Sequence, residues 1–509
     1  MDIKDNRLNE LQLALQEAKE FSLKRLEDLN SIIDIYTHLD ADGLVSGAIL
    51  GKLFYREKIP FRIRVLRQLE KEEIEKIIAH FTEYKNFTVF SDFGSGQYLE
   101  LESKFNKVNG NDCFLIIDHH LPQGIENKEN ISKIEEIKKS TSPWHVNPYF
   151  FSIDGSIEIS AAGMCYLFAK CFNEKNIDLS GIALVGAIGD IQNRGKFNTF
   201  LGINKVILED AIKANLIEVI NDLNFSSIKP LNEAIAYASS INLPGLSGNA
   251  STTLKFLKRS GVLMEKPDGT IKTLNDLTQE EKQKISSLIV EYCTLKLNVN
   301  PKNIMDNLII NRFILKNEEE GTELSDLNEF SNILNACGRS NNGALGIAIA
   351  MGDRKFAFEK ARKQLKEYKK LILKALSWIQ ENNKIQQGEN IQYFFGEDII
   401  PESIIGTIAS MLSFEKNSII DKEKPIIGLA RRQDENVYKI SARASNDLVK
   451  KGVNLSEAIR SALKESGIEA LGGGHPPAAG TKIPINSVET FLKNLDEIIK
   501  NQLNKNESI

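Results

Sequence analysis

Acids and imidazoles stand at the ends of apolar segments at four places in the first 190 residues. They are His38-Leu39-Asp40-Ala41-Asp42-Gly43, Asp92 in FSDFG, Asp118-His119-His120 after FLII, and Asp190 closing VGAIGD. A fifth motif, Gly472-Gly473-Gly474-His475, lies near the other end, and four of the six histidines fall within these motifs. Charged groups that end buried strands are costly unless they bind something. Carboxylates and imidazoles without thiolate suit Mn²⁺ first and Mg²⁺ second, over structural zinc. Two such ions, roughly 3.5–4 Å apart with one bridging carboxylate, clamp a phosphodiester and generate a hydroxide. Asp40 and Asp42, two residues apart, share one side of an extended segment, and Gly43 frees the backbone for a turn into a helix. Each motif alone is weak, since a lone Asp-x-Asp is commonly a solvated loop. Their order and their place at strand ends join them into one site.

The elements that must position these residues follow from hydrophobic spacing. From 31 to about 200, strand-like runs (31–38, 62–66, 87–92, 113–118) alternate with helical patterns (43–56, 70–84, 160–173, 181–190). That alternation predicts an α/β fold with a parallel sheet covered by helices on both faces. Ligands of such sheets bind at the carboxyl ends of the strands, where His38, Asp92 and Asp118 fall. Residues 1–30 carry an amphipathic helix; packing on its own domain is the plainer expectation, partner binding the sharper one. Residues 201–390 read as a mostly helical connecting region. It includes the compact stretch NACGRSNNGALGIAIAMGD (335–353), a long charged helix at 356–383 and a linker, QQGEN (386–390). From 391 to 500 a smaller C-terminal α/β domain is predicted, with strands IQYFF, PIIGLA and VYKISAR, a helix at 455–465, and then a polar tail.

At 509 residues the chain exceeds one hydrophobic core and should split into two or three domains. Its net charge of −5 gives no global field for polyanions, so a nucleic-acid site must be a local patch. Five cysteines without a CxxC pair suit a reducing compartment. No apolar run reaches the roughly 18–20 residues of a membrane span, so a cytoplasmic location without a membrane partner is expected. The three glycines before His475 allow backbone N–H groups to converge on an anion as a nest. Arg443, ending VYKISAR, can give a bidentate phosphate contact. Arg431, Arg432, Lys439, Lys450 and Lys451 make this domain locally basic, either as a single-strand track or as a solvated face. His80 and His145 read as non-catalytic, and Asn147, Pro148 and Ser160 as groups that shape the site.

As a set, these motifs resemble those of the DHH phosphoesterase superfamily, and the whole chain resembles an archaeal-type RecJ single-strand exonuclease. HLDADG, Asp92, Asp118-His119-His120 and Asp190 are similar, in order, to the four motifs of the DHH domain. GGGHPPAAG is similar to the glycine-rich signature of the companion DHHA1 domain. The resemblance covers roughly residues 30–195 and 390–495. It implies a DHH catalytic domain (31–200), a DHHA1 substrate-binding domain (391–500) and a cleft between them that admits one strand. It implies one metal on His38, Asp40 and Asp92 and another on Asp42, Asp92, His119 and Asp190, with Asp92 bridging. His120 would face the scissile phosphate as electrophile or proton donor, and Asp118 would orient an imidazole. Arg443, Gly472, Gly473, Gly474 and His475 would bind substrate. His38 stands where bacterial relatives often carry Asp. The stretch containing Asn335, Arg339 and Gly343 is similar to one between the two domains of archaeal RecJ-like proteins. Arg339 reads there either as a substrate contact or as a buttress.

The leading expectation is a two-metal exonuclease acting on single-stranded DNA or RNA in repair or replication. An enzymatic alternative is a phosphodiesterase for nanoRNA, cyclic dinucleotides or 3′-phosphoadenosine phosphate, but such members are usually shorter and lack the 201–390 region. A non-enzymatic alternative is a replication component binding the GINS complex, as archaeal RecJ-like proteins can. A pure scaffold is expected to lose its metal ligands, and here every ligand position is filled.

Overall fold

Strands β1 (Ile33–His38), β2 (Phe61–Leu66), β3 (Phe87–Ser91), β4 (Phe114–Ile117) and β5 (His145–Val146) form a five-stranded parallel sheet in the order β2-β1-β3-β4-β5. Strands β1, β3 and β4 are buried along almost their whole length, as strands covered on both faces should be. Their short, mostly apolar and β-branched or aromatic runs, bounded by polar turns, are what select strand over helix. The computed structural model describes residues 3–29, 31–125, 130–238, 243, 245–297, 301–414, 420–432, 436–470 and 472–506. It divides into two units, Met1–Gln364 and Leu365–Ile509.

In the first unit, helices α1 (Ile3–Leu29), α2 (Ala41–Arg56), α3 (Lys71–Tyr84), α4 (Tyr98–Lys107), α5 (Ile131–Thr141), α6 (Ala161–Phe172) and α7 (Ser180–Gly189) accompany the sheet. Helix α1 buries Leu11, Leu15, Ala18, Ser22 and Leu26, a spacing of three to four residues. It is tied down by Lys19 Nζ donating to the Cys171 carbonyl (2.8 Å) and by the Arg25–Asp112 ion pair (2.9 Å). It therefore packs on its own unit. After α8 (Gly202–Lys213), two strands interrupt the stretch read from sequence as mostly helical. β6 (Ile217–Leu223) pairs antiparallel with β7 (Ile309–Leu315). The helices between them, α9 (Leu231–Ala236), α10 (Ala250–Leu257), α11 (Gln279–Leu297) and α12 (Pro301–Leu308), share a separate core around Leu231, Ile235, Leu257, Ile285 and Leu308. The segment is thus an inserted module closed at its neck by a β-ribbon. Helices α13 (Leu327–Arg339) and α14 (Gly343–Met351) follow and pack on α2.

Helix α15 (Phe356–Glu381) leads into the second unit, whose strands are β8 (Gln386–Gln387), β9 (Gln392–Phe395), β10 (Ile426–Arg432), β11 (Val437–Arg443), β12 (Gly472–His475) and β13 (Ala478–Pro484). They form one mixed sheet in the order β12-β13-β11-β10-β9-β8, with α16 (Glu402–Phe414), α17 (Asn446–Lys450), α18 (Leu455–Glu465) and α19 (Val488–Asn506). Strand β10 shows how both faces are covered. Ile427 and Leu429 join the core with α18 and α19, while Ile426 and Ala430 join the core with α15 and α16, the period-two alternation of a strand. The segment read as a linker is not free chain: Gln386–Gln387 pair with β9, and Asp496 accepts hydrogen bonds from the Glu389 and Asn390 amides. Residues 507–509 of the polar tail lie outside the described residues. No helix among the described residues is long and apolar enough to cross a membrane.

Candidate metal centre

The strand order places a topological switch point at the carboxyl ends of β1 and β3. The chain runs outward from β1 to β2 and then returns to the other side of β1 as β3. Loops leave such adjacent strands in opposite directions and open a crevice. His38 ends β1, Asp92 follows β3 and Asp118 follows β4, so three motifs meet there by topology alone. Asp92 and Gly94 take left-handed backbone, with φ of 61° and 114°, which turns the chain sharply after the strand.

Helix termini hold the ligands. Asp40 caps α2, accepting from the Gly43 amide at 3.0 Å, while its other oxygen lies 2.8 Å from His38 Nδ1. Asp42 is fully buried and accepts from the Ala161 and Ala162 amides, at 2.8 and 3.0 Å, at the start of α6. That helix end places partial positive charge on the carboxylate. The glycines of VGAIGD let α7 approach closely, since a Cβ on Gly186 would lie 2.5 Å from Asp42 Oδ1 and one on Gly189 2.6 Å from Ala41 Cβ. His119 donates from Nδ1 to the Gly155 carbonyl (2.6 Å). Its Nε2 is thereby left as the lone-pair nitrogen, the arrangement of a metal-ligating histidine.

Six donors converge as two trios, and Asp118 and His120 form a third group with Asp92 and His119. His38, Asp40 and Asp92 form one trio, and Asp42, His119 and Asp190 the other. Asp92 faces both: Oδ2 lies 3.5 Å from His38 Nδ1, and Oδ1 lies 3.3 Å from His119 Nε2. His119 Nε2 is also 3.3 Å from Asp190 Oδ2. Asp92 Oδ2 and His119 Nε2 are buried without a hydrogen bond, which is costly in a protein interior. The electrostatics point the same way. Burial, together with the charges of Asp92 and Asp190, pushes Asp42 well above the ordinary carboxylate range, and burial raises Asp190. Burial opposes charge on His38 and His119, yet Asp40 and Asp190 respectively hold them well above the ordinary imidazole value. The protein without cations must hold protons to balance this cluster, and divalent ions are the natural replacement. The residues present therefore fit such ions.

This balance predicts a pH-dependent stabilisation. The raised carboxyls and raised imidazoles all bind more protons in the folded than in the unfolded chain. The metal-free protein therefore loses stability as pH rises, and proton competition weakens metal binding as pH falls. The melting temperature in Mn²⁺ minus that in EDTA should widen from pH 6 to pH 8, with about 4 kcal/mol of stabilisation at a thousandfold excess over Kd. A gap that is constant or narrows with pH would count against the site.

His120 points differently. Its side chain is 47% exposed, and Nδ1 is held by Asp118 Oδ1 at 2.8 Å. Asp118 is fully buried and also accepts from the Ser95, His119 and His120 amides. Burial would raise its carboxyl, but the His120 charge and these bonds hold it below the usual range. Behind it lies a network in which Asn147, expected to shape the site, meets partners that no local pattern signalled. Asn147 Nδ2 donates to Ser95 Oγ (2.9 Å) and to the His120 carbonyl (2.8 Å), and Ser95 Oγ also meets His145 Nε2 (2.8 Å). Burial pushes His145 down to about 4, so it serves as a neutral hydrogen-bonding partner. Gln192, fully buried, donates to the Gly155 carbonyl (2.9 Å) beside His119 and lies 3.4 Å from Asp190 Oδ2. Only tertiary packing brings Ser95, Gly155 and Gln192 here, so spacing could not mark them.

The Asn-Ala-x-Gly-Arg stretch lies against the first motif, within the same unit. Asn335 Oδ1 accepts from the Ala41 amide (3.0 Å), and a Cβ on Gly338 would collide with the Leu39 carbonyl. These residues buttress the HLDADG loop. Arg339 is half-buried at the last position of α13, next to that contact. Gly338→Ala is therefore expected to cost about 1–3 kcal/mol by overpacking, read as a lower denaturation midpoint; an unchanged midpoint would refute the close approach.

The second unit departs from expectation at the glycine run. Gly472–His475 is not a nest but the edge strand β12, paired with β13. Packing explains two of its glycines. A Cβ on Gly472 would lie 2.6 Å from Leu463 Cδ1, and Gly474 has φ of 143°. A Cβ on Gly473 would meet nothing closer than 3.9 Å, so its bareness answers no packing need. The His475 side chain lies outside what is described, but its backbone pairs with Ala478, which pairs with Arg443. Arg443 is held by Nε donating to Ser410 Oγ (2.7 Å) and Nη1 to the Ala442 carbonyl (2.8 Å). Among the basic residues, Lys451 pairs with Glu423 and Lys450 Nζ lies 3.7 Å from Asp447.

Comparison with known proteins places these features. Residues 388–501 match the DHHA1 domain family and residues 226–309, between β6 and β7, the DHH-CID domain family. An uncharacterized protein of Methanocaldococcus jannaschii is 34% identical over 475 residues, covering 93% of this chain and 94% of its own. Cdc45 from Entamoeba histolytica aligns with a TM-score of 0.63 at 13% identity, over 96% of this chain and 99% of that one. RecJ from Thermus thermophilus, solved in complex with Mn²⁺, aligns with a TM-score of 0.54 at 14% identity, over 96% of this chain. The present chain spans 55% of the length of that RecJ. At such identities the solved structures speak for the fold, and the near full-length relative and the two domain matches for the lineage. The chain belongs to the DHH/DHHA1 superfamily and has a RecJ-like fold.

Proposed function

We propose that this chain is a metal-dependent phosphodiesterase that removes nucleotides from an end of single-stranded DNA or RNA. The observation that carries the reading is Asp92, whose two oxygens face separate donor clusters at a sheet switch point. In this reading His38, Asp40 and Asp92 hold one divalent ion and Asp42, Asp92, His119 and Asp190 a second, with Mn²⁺ preferred and Mg²⁺ accepted because the donors mix imidazole with carboxylate. When bound, the ions supply Lewis-acid polarisation of the phosphodiester and lower the pKa of an attacking water. The chain's own residues do the rest. Asp118 fixes the His120 ring through Nδ1, leaving Nε2 to donate a hydrogen bond, and then a proton, to the departing oxygen. Arg443 and the bare backbone of Gly472, Gly473, Gly474 and His475 contact strand phosphates, and Gly473, which packing does not require, favours that role. Arg339, at the end of the helix that carries Asn335 and Gly338, supplies a further phosphate contact.

The test uses 5′-labelled and 3′-labelled single-stranded DNA and RNA with Mn²⁺, against the same protein in EDTA. Products that shorten stepwise from one end, and only with metal, are the expected result. Hydrolysis of dinucleotides with no cleavage of longer strands would replace this reading with a small-substrate phosphodiesterase.

A further inference from the structure

Helix α7 ends in a conformation that its sequence disfavours. Its last carbonyls are closed by the Ile191 amide donating to Ile188 (2.9 Å) and the Gln192 amide donating to Ala187 (2.9 Å). This pattern puts Ile191 in the left-handed position normally taken by glycine, and its φ is 57°. A β-branched side chain there is a genuine outlier, and strain of this kind gathers at functional sites. The turn has a use, because it aims both Asp190 and Gln192 into the metal centre. Glycine would serve that turn better. Burial does not offset the strain either, since the isoleucine side chain is 65% exposed. It stands one residue beyond Asp190, which is 28% exposed where Asp42 and His119 are almost fully buried. Arg194, also exposed, is anchored by Nε donating to the Ile191 carbonyl (2.9 Å), and Lys196 follows. A strained, exposed aliphatic group with cations beside it, at the rim of a carboxylate cluster, matches an anionic strand with apolar sugar and base faces.

We propose that the 191–196 loop is a strand-contacting element. Ile191 packs on the sugar and base of the nucleotide next to the scissile phosphate, and Arg194 contacts a neighbouring phosphate. This rests on the single-strand reading above.

The experiment compares wild type, Ile191→Gly, Ile191→Leu and Arg194→Ala with Mn²⁺ on an oligo-dT strand. Ile191→Gly is expected to melt no lower than wild type, because it relieves the strained position, yet to raise KM about tenfold through lost apolar contact, with kcat changed about twofold at most. Ile191→Leu should hold KM near the wild-type value. Arg194→Ala should make the slope of log kcat/KM against log salt shallower by about 0.7, one phosphate contact on a single strand. Wild-type KM in Ile191→Gly, with the wild type degrading strands, overturns the loop assignment alone. A wild type that degrades no strand overturns the single-strand reading and this assignment with it.

Discussion

Asp92→Asn is expected to lower metal-dependent hydrolysis by roughly a thousandfold or more, while the metal-free variant melts no lower than wild type. The two effects have one cause. Asp92 offers one oxygen to each donor cluster, so in the proposed two-ion reading an amide there replaces one ligand oxygen with NH2, removes the charge shared by both sites, and weakens the stabilisation that paired ions would give a phosphodiester. That stabilisation is several kcal/mol, and about 4 kcal/mol corresponds to about a thousandfold in rate. In the metal-free protein the same carboxylate helps push Asp42 above its ordinary range, so its loss relieves repulsion. Asparagine also tolerates the left-handed backbone that Asp92 adopts. Single-turnover hydrolysis at saturating Mn²⁺, metal titration by calorimetry and a melting curve in EDTA separate the terms. More than about a tenth of wild-type turnover would remove Asp92 from the centre, since a bridging ligand is not dispensable on that scale. A lower metal-free melting temperature would instead make Asp92 a structural group.

Much of this centre was legible because it depends on local pattern and on a simple rule of sheets. Apolar segments ending in His38, Asp92 and Asp118 marked β1, β3 and β4, and parallel order alone puts these residues at one edge. Legibility failed where contacts are non-local or where a strand lacks the expected pattern. In β6, IEVINDL, charged and polar residues interrupt the alternation, and the partner that makes it a strand lies some ninety residues later, at Ile309–Leu315. Gln192 and Ser95 look like ordinary loop residues until the fold brings Gly155 and His145 to them. The glycine run shows the opposite failure. Three adjacent glycines have the right composition for a nest, but pairing with β13 extends them into a strand, and a nest and a strand need different backbone angles.

The glycines of the first unit separate packing from chemistry. Gly186, Gly189 and Gly338 are each required by a close approach to the HLDADG loop. The loop is thereby clamped between α7 and the end of α13. Metal centres demand ligand positions held to a fraction of an ångström, and these close approaches of glycine backbone to Leu39, Ala41 and Asp42 give that rigidity. The fold therefore buries Asp42 and leaves His38, Asp40, Asp190 and above all His120 open to solvent.

His120→Gln should lower kcat by about a hundredfold to ten-thousandfold, the range for a general acid, while weakening Mn²⁺ binding far less than Asp92→Asn, because its Nδ1 is already engaged by Asp118. The pH dependence adds a sharper test of its link to Asp118. Burial and the neighbouring His119 charge oppose protonation of His120, but Asp118 outweighs them and holds the imidazole above its ordinary value. A proton donor is lost as pH rises through that raised value, so kcat should fall on the alkaline side. Asp118→Asn removes the charge that holds the proton and should move the alkaline limb to lower pH, with a smaller loss of rate at low pH than at neutral pH. A purely architectural Asp118 predicts the same fractional loss at every pH. If His120→Gln shows no rate loss on a substrate with a poor leaving group, protonation of the departing oxygen does not come from this residue, and the exposed Nε2 serves binding alone.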